Sequence, residues 1–371
     1  MERPVGMFSP QIYQIRKTAL ISRKAFAADK FIASWIEKER LLTGIGNALV
    51  VILNSPGCQW GLGSEGGCSM CGYSNETSEG ITAENLVAQF TQALQANAGK
   101  KFQSVKIFNS GSFLDEKEIP RTAQEVIFRH ISEIPFVQEI VIESRPEFVT
   151  ASALKRLTTI LQPEQILEVG IGLESSSDQI RIHNINKGFL FADFQKAVAI
   201  ALAQKVRVKT YLLLKPPFLT EKEAIADAIQ SAIDAIKAGS RSISINPVNI
   251  QTGTLVSVLW KAGLYRSPWF WSLKTVIQTL WKRIAEENLT ASVDRIVSDP
   301  SGAGAQKAIH NCRLCNKTAS KLVKEYSLQQ DSAILNELHC SCHSLWKELL
   351  EQEEATRDFS LHFFERSINQ N

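Results

Sequence analysis

ALVVILNSPGCQWGLGSEGGCSMCGY, residues 48–73, joins an unbroken apolar run to a glycine-rich loop that holds three cysteines. The run, rich in aliphatic and β-branched residues and closed by Pro56-Gly57, reads as a strand buried on both faces. Runs of the same kind recur at SVKIFNSG (104–111), EIVIESRP (139–146), ILEVGIGLES (166–175), VRVKTYLLLKPP (206–217) and SISINPVNI (242–250). Between them lie amphipathic stretches with helix signals: ITAENLVAQFTQALQA from 81, TAQEVIFRHISEI with a Thr122/Glu125 capping box, SALKRLTTIL from Ser152, FADFQKAVAIALAQK from 191, and TEKEAIADAIQSAIDAIKAG with a Thr220/Glu223 box and Gly239 as its stop. Strand and helix alternate, which implies an α/β fold of parallel strands joined by right-handed crossovers: a doubly wound sheet, or a full or partial β/α barrel. In each of these, chemistry gathers at the carboxyl ends of the strands.

The alternation fills residues 44–255. Residues 1–43 read as a helical N-terminal flank with eight basic residues against four acidic ones. Residues 256–371 read as a C-terminal module: a Trp-rich stretch, a Gly/Ser/Pro loop, four cysteines and a charged helical tail. The whole chain, 371 residues with 44% hydrophobic and 21% charged and a mean hydropathy of −0.07, has a globular composition. A net charge of +3 neither demands nor excludes a nucleic-acid partner. No apolar run is long enough to span a bilayer, and the first residues lack the order of a signal peptide, so a cytoplasmic protein without membrane contact is expected. Seven cysteines, an odd number and clustered, then read as metal ligands more readily than as disulfides.

Cys58, Cys68 and Cys71 have the spacing C-x9-C-x2-C. A structural zinc takes four protein ligands, whereas three thiolates on a [4Fe-4S] cluster leave one iron free for a small molecule. That is the arrangement by which radical S-adenosylmethionine (SAM) enzymes chelate SAM and generate a 5′-deoxyadenosyl radical. Gly61, Gly63, Gly66 and Gly67 suit a loop folded tightly around such a cluster. A zinc site with a fourth ligand from elsewhere, or three unlinked thiols, are the alternatives. The other strand ends supply polar groups for SAM: Asn109, Ser110, Gly111 and Ser112 for the methionine amino group, Glu143 and Arg145, Glu174 (beside Ser175) for the ribose, Lys187 beside Gly188 for the carboxylate, and Asn246 with Pro247 for the adenine. By strand-end position alone, Phe113, Lys215 and Asn249 would line the hydrogen-abstraction site.

Cys312, Cys315, Cys340 and Cys342 form C-x2-C-x24-C-x-C, two close pairs across a loop, the spacing of a closed zinc site; an auxiliary iron–sulfur cluster is the alternative. His310, His339 and His343 flank it. Five basic residues and no acidic one lie between Lys307 and Lys324, suited to RNA phosphates or to a solvated face that offsets the thiolates. Trp269, Phe270 and Trp271, beside Arg266, would either stack on an unpaired base or form the apolar joint between barrel and appendage.

In order along the chain, VVILNSPGCQWG…GGCSMCGY, NSGSFLD, ESRPEF, EVGIGLES, SINPVNIQTGT, YRSPWFWS, SDPSGAGAQKAIHNCRLC and the closing CSC resemble the archaeosine-biosynthesis radical SAM family called RaSEA, a relative of the radical SAM domain in the catalytic subunit of Elongator. The resemblance runs from about Ser34 to Trp346. It implies a partial six-stranded β/α barrel with a C-terminal zinc-binding module. It also implies a lyase acting on tRNA whose D-loop carries a lysine-modified 7-deazaguanine: the carbon–nitrogen bond to the lysine side chain breaks and archaeosine remains. A lysine-transferring, transglycosylase-like partner subunit and a ferredoxin or flavodoxin as electron donor are expected with it. Two other readings stand beside this one: an enzyme of the same fold acting on a different nucleobase or small molecule, and a non-catalytic metal-binding module of a tRNA-modification assembly.

Overall fold

The computed structural model describes residues 3–21 and 26–353; residues 1–2 and 22–25 of the N-terminal flank, and 354–371 of the C-terminal tail, lie outside the described residues. One eight-stranded sheet organises the chain, its strands side by side in chain order. After helix α1 (Ser9–Ile21), strands β1 (Ala33–Leu41) and β2 (Gly44–Ile52) form an antiparallel hairpin. Strands β3 (Ser104–Phe108), β4 (Glu139–Glu143), β5 (Ile166–Glu174), β6 (Arg207–Leu214), β7 (Ser242–Pro247) and β8 (Arg295–Val297) then add in parallel. Helix α2 (Gln59–Leu62) lies in the cysteine loop, and α3 (Ala83–Ala96), α4 (Arg121–Ser132), α5 (Ala151–Thr158), α6 (Phe191–Ala203) and α7 (Glu221–Lys237) are the crossovers. Helices α8 (Leu255–Lys261) and α9 (Phe270–Glu286) stand between β7 and β8, and α10 (Asn316–Gln329) and α11 (Cys342–Gln352) follow.

The six strands expected from the apolar runs are β2 to β7. Their outward residues, among them Ile140, Ile142, Val169, Ile171, Val208 and Leu212, join Leu86, Phe90, Phe128 and Phe194 of the helices in one buried core. At about 1.5–3 kcal/mol for each large apolar side chain buried, this layer is the main source of stability. The alternate residues, Lys106, Glu139, Glu143, Glu168, Lys209 and Tyr211, face the inside, because successive side chains of a strand point to opposite faces. The sheet curls around them. Arg295 of β8 donates to the Arg40 carbonyl on β1 at 2.8 Å, to Glu139 on β4 at 2.9 Å and to Glu168 on β5, while Lys209 of β6 lies 3.8 Å from Glu39 of β1. The fold is therefore an α/β partial barrel with a charged lumen.

Three expectations differ from what is found. Among the described residues of the N-terminal flank only α1 is an α-helix; residues 33–41 are a strand, because Glu37 and Glu39 have a partner in the buried Lys106 of β3, at 3.4 and 3.0 Å. Position 255 does not divide two cores, since β8 completes the sheet and Trp269, Phe270 and Trp271 are buried in the same cluster as the barrel. Those three aromatics are thus the joint, with Arg266 stacked 3.8 Å over Trp269, and none presents a face for a base. Finally, Thr122/Glu125 caps nothing: the cap of α4 falls two residues earlier, on Pro120, and Glu125 pairs with Arg121 at 2.9 Å. The Thr220/Glu223 box of α7 is present, with Glu223 N donating to Thr220 Oγ1 at 3.2 Å and Thr220 N to Glu223 Oε2 at 2.9 Å.

The open side of the curl lies between β8 and β1. Helix α10 packs against both, and the Gln330 side chain behaves as a short strand: Ile296 N donates to its Oε1 at 2.7 Å and its Nε2 donates to Ile296 O at 3.0 Å. Among the described residues no helix is long and apolar enough to cross a membrane.

Candidate active site and metal centre

The cysteine loop leaves β2 at the carboxyl end of the sheet and is folded by contacts that its glycines permit. Gly66 and Gly67 have φ of 70° and 78°, and a Cβ on either would overlap backbone, of Tyr13 in the first case and of Gly61 in the second. Asn186, in the turn after β5 and itself at φ 58°, is the hub. Its Nδ2 donates to the carbonyls of Glu65 and Gly67 at 2.8 Å each, its Oδ1 accepts from Gly6 N at 3.0 Å, and its carbonyl accepts from Trp60 Nε1 at 2.7 Å. Ser69 adds two more bonds to that turn, from N to Ile185 O and from Oγ to Asn184 O, both 2.8 Å. A short π-helical turn at Ile180–Asn184 sets these acceptors.

This folding brings Cys58, Cys68 and Cys71 together. Burial pushes all three thiols up, and each raises its neighbours' values further: Cys68 acts on Cys58, Cys71 on Cys68, and Cys58 on Cys71. The compensating charges are Arg145, Lys187 and Arg16. The three thiols do not all lie within 4.8 Å of one another, wider than ligands of a single ion. A thiolate set of this kind, ringed by three cations, fits an iron–sulfur cluster, and Arg145 supports the fit. Its Nε is paired with Glu147 at 2.7 Å and its guanidinium lies against Trp60 and Phe189, yet its Nη2 is buried without a partner.

Around this loop the remaining strand ends fall into two groups. Ser110 (φ 58°), Gly111 and Ser112 form a tight turn closed from beneath by Glu118, a residue that belongs to no motif. The Glu118 carboxylate accepts from Ser112 N at 2.6 Å, Asn109 Nδ2 at 3.1 Å and Gln59 N at 3.2 Å, and burial pushes it up to about 8. Glu174 and Lys187, expected to serve separate parts of one ligand, are joined in an ion pair at 2.7 Å. Burial pulls Lys187 down, but Glu174 and Cys68 hold it above its ordinary value. Asn246 Oδ1 accepts from Ser244 at 3.0 Å. Glu143 faces the lumen beside Tyr211, and burial pushes it up to about 7. Phe108, Glu143, Gly172, Tyr211 and Asn246 are each part-exposed within otherwise buried strands, which marks an open lumen at this level. Two residues expected there lie elsewhere. Phe113 packs outward against Phe128, with centroids 5.8 Å apart. Lys215 is committed to Glu221 at 2.6 Å and to Glu353 at 3.1 Å, tying α11 to the end of β6. Asn249 is part-exposed in the turn after β7.

The second cluster is compact. Cys312, Cys315, Cys340 and Cys342 are the one group of three or more such donors within 4.8 Å among the described residues. Sγ atoms are 3.7 Å apart for Cys312–Cys315, 3.5 Å for Cys312–Cys340 and 3.7 Å for Cys315–Cys342. Four thiolates about 2.3 Å from one central ion would stand about 3.8 Å apart, so these four can hold a single metal ion. Trp271 Nε1 donates to Cys342 Sγ at 3.4 Å and Asn311 Nδ2 to Cys315 Sγ at 3.6 Å. His343 is stacked on Trp346 and tilted against Trp271, and His310 Nδ1 meets the Ala308 carbonyl at 2.8 Å, so neither joins the four. Lys307, which lies over Trp260, and Arg313, Lys317, Lys321 and Lys324 are all exposed.

No protein-family model matches the chain. It is 40% identical over 328 residues to the archaeosine synthase subunit beta of Methanosarcina acetivorans, covering 87% of this chain and 91% of that protein. It is 37% identical over 321 residues to the archaeosine synthase subunit beta of Thermococcus kodakarensis, covering 85% and 96%. Among solved structures, methylornithine synthase superposes with a TM-score of 0.46 at 13% identity over 91% of each chain. The archaeal Elp3 of Methanocaldococcus infernus gives 0.41 at 14% identity, over 56% of this chain and 59% of that one. With its cysteine motifs in place and this identity running along nearly the whole length of both relatives, the chain belongs to the archaeosine synthase subunit beta family.

Proposed function

We propose that the chain is a radical SAM lyase that cleaves the carbon–nitrogen bond of a lysine-modified 7-deazaguanine in the tRNA D-loop, leaving archaeosine. The observation that carries this reading is the three-thiol loop at the mouth of a partial barrel, in a chain aligned along nearly its whole length with archaeosine synthase subunits. When bound, a [4Fe-4S] cluster and SAM supply a 5′-deoxyadenosyl radical able to take hydrogen from the lysine side chain. Cys58, Cys68 and Cys71 would hold three irons, and Arg145, Lys187 and Arg16 offset the charge of the thiolates. The Ser110–Ser112 turn, braced by Glu118, receives the methionine amino group; Glu174, Lys187 and Asn246 receive the ribose, carboxylate and adenine. Glu143 with Tyr211 closes the lumen behind them. The Cys312–Cys342 site holds zinc, since its sulfur spacing suits one tetrahedral ion and a multi-iron framework would hold thiolates further apart. Arg313, Lys317, Lys321 and Lys324 meet tRNA phosphates. The name subunit beta, borne by both relatives, supports a partner subunit, and in this reading that subunit is the one that attaches the lysine. A ferredoxin or flavodoxin donates the electron, in the cytoplasm.

The test is anaerobic reconstitution, then incubation with SAM, a reductant and tRNA carrying the lysine adduct, with mass analysis of nucleoside and adenosyl products. Archaeosine with 5′-deoxyadenosine is expected. Deoxyadenosine with unchanged tRNA would move the substrate elsewhere, and no deoxyadenosine would refute the radical mechanism. Cys71→Ala should abolish deoxyadenosine while the zinc stays bound; loss of both would show that the two sites are not separate.

A further inference from the structure

Helix α1 belongs to none of the motifs above, yet it touches the cysteine loop along its length. Ser9 Oγ donates to the carbonyl and to a carboxylate oxygen of Glu65, 3.1 Å in both cases. Phe8 and Ile12 are buried with Ile185, Leu213 and Val248, against Cys68 and Met70. The tight approach at Gly66, where a side chain would overlap Tyr13, is an approach to this same helix. One turn further on stands Arg16, only 3% exposed although it carries a full charge. Its Nε donates to Gly66 O at 3.2 Å and its Nη2 to Cys68 O at 3.3 Å. Its Nη1 is buried with no partner at all. No carboxylate pairs with it among the described residues.

A buried guanidinium without a counter-ion is costly, because desolvation removes several kcal/mol of hydration that only a nearby negative charge restores. The negative charge available is that of the thiols: Arg16 is the leading cation acting on Cys71. A cation fixed this close favours the more negative state of whatever the three thiolates hold, and the helix that carries it also excludes water from the same side. Both net charge and solvent exposure set the potential of an iron–sulfur cluster.

We infer that Arg16 is a positioning residue for the cluster: it fixes the carbonyls of Gly66 and Cys68 and raises the cluster's reduction potential with its unpaired charge. This rests on the reading of Cys58, Cys68 and Cys71 as cluster ligands, and it makes the N-terminal helix part of the electron-accepting apparatus.

The test uses the full reconstituted chain without SAM or tRNA. Iron, sulfide and zinc contents are measured first, then the midpoint potential by a redox titration followed by electron paramagnetic resonance, for the parent, Arg16→Gln and Arg16→Lys. Arg16→Gln should keep its iron and become harder to reduce by about tenfold in the one-electron equilibrium, about 59 mV; Arg16→Lys, which keeps the charge, should recover most of that shift. Equal potentials for parent and Arg16→Gln at equal iron content overturn the inference. If Arg16→Gln loses its iron, Arg16→Lys decides: iron retained at the parent's potential supports the charge, and iron lost from both with zinc retained assigns Arg16 to loop geometry alone and overturns it. Loss of zinc as well would show a general folding defect and also overturn it. A parent that takes up no [4Fe-4S] cluster would instead refute the reading on which the inference rests.

Discussion

Replacing Arg295 with Met removes the cation at the centre of the lumen floor. Arg295, Glu139 and Glu168 are almost fully buried. Without the guanidinium, Glu139 keeps one backbone donor, Leu42 N at 2.9 Å, and Glu168 keeps Ser242 Oγ at 2.6 Å, but the two carboxylates face each other uncompensated. Neither lysine nearby is free to replace the lost charge, since Lys106 stands 3.0 Å and Lys209 3.8 Å from Glu39. Breaking a buried pair from one side costs about 3–5 kcal/mol. The unfolding entropy of a 371-residue chain, at about 2.1 cal/mol/K per residue, is about 0.8 kcal/mol/K, so the cost becomes a fall in Tm of about 4–6 °C. Scanning calorimetry of the metal-loaded chain under anaerobic conditions reads it. The triple variant Arg295→Met, Glu139→Gln, Glu168→Gln removes the stranded charges with their partner and should lose less than half as much. A single-variant shift below about 1 °C, or a triple variant as damaged as the single one, would refute the argument that stranded carboxylates, rather than lost packing, carry the cost.

Asp227 gives a pH signature. Burial pushes its carboxyl up to about 6 from 3.8, Ser175, Ser231 and Arg181 pull it down, Asp234 pushes it up, and one carboxylate oxygen is buried without a partner. The folded state therefore holds a proton that the unfolded chain has released, and stability is lost as pH rises from about 4 to about 6, by at most about 3 kcal/mol before solvent screening at this part-exposed group. Asp227→Asn should match the parent in urea midpoint at pH 4 and exceed it at pH 8; parallel profiles would show that the group does not titrate on folding. At Gly111 an added Cβ would overlap Glu118 Oε2, so Gly111→Ala should weaken binding of labelled SAM at least tenfold in equilibrium dialysis, at unchanged iron content. Unchanged affinity would exclude this turn as the methionine site.

Strands β2 to β7 were legible because their apolar runs answer to helices on one face and their positions to a repeating rhythm. β1 was not, since WIEKER carries its charges at the alternate positions that face Lys106 and Lys209, and a charged lumen cannot be inferred from one strand at a time. β8 was hidden for the same reason: a three-residue strand beginning with an arginine signals nothing until the two glutamates it meets are known. In the site, the cysteines were legible from spacing alone, while Asn186 and Arg16 were not, because they act on backbone groups brought near by the fold over sequence separations of 50 to 180 residues, and Glu118 was not, because it joins its neighbours Asn109 and Ser112 to Gln59 N, 59 residues away. Phe113 shows the limit of arguing from strand ends: it follows a turn, where the alternation of faces no longer holds.

The two margins of the sheet, β1 and β8, face one another across α10, and the outermost amides of β8 are already taken by the Gln330 side chain. An unpaired strand margin is where other chains most easily join a sheet, by extending its ladder. At Ile296 of β8 that route is shut by the Gln330 amide, with α10 packed against both margins. While Gln330 holds both backbone groups of Ile296, no further strand can extend the ladder past that residue of β8, which keeps this margin of so long a parallel sheet from adding copies of the chain strand by strand.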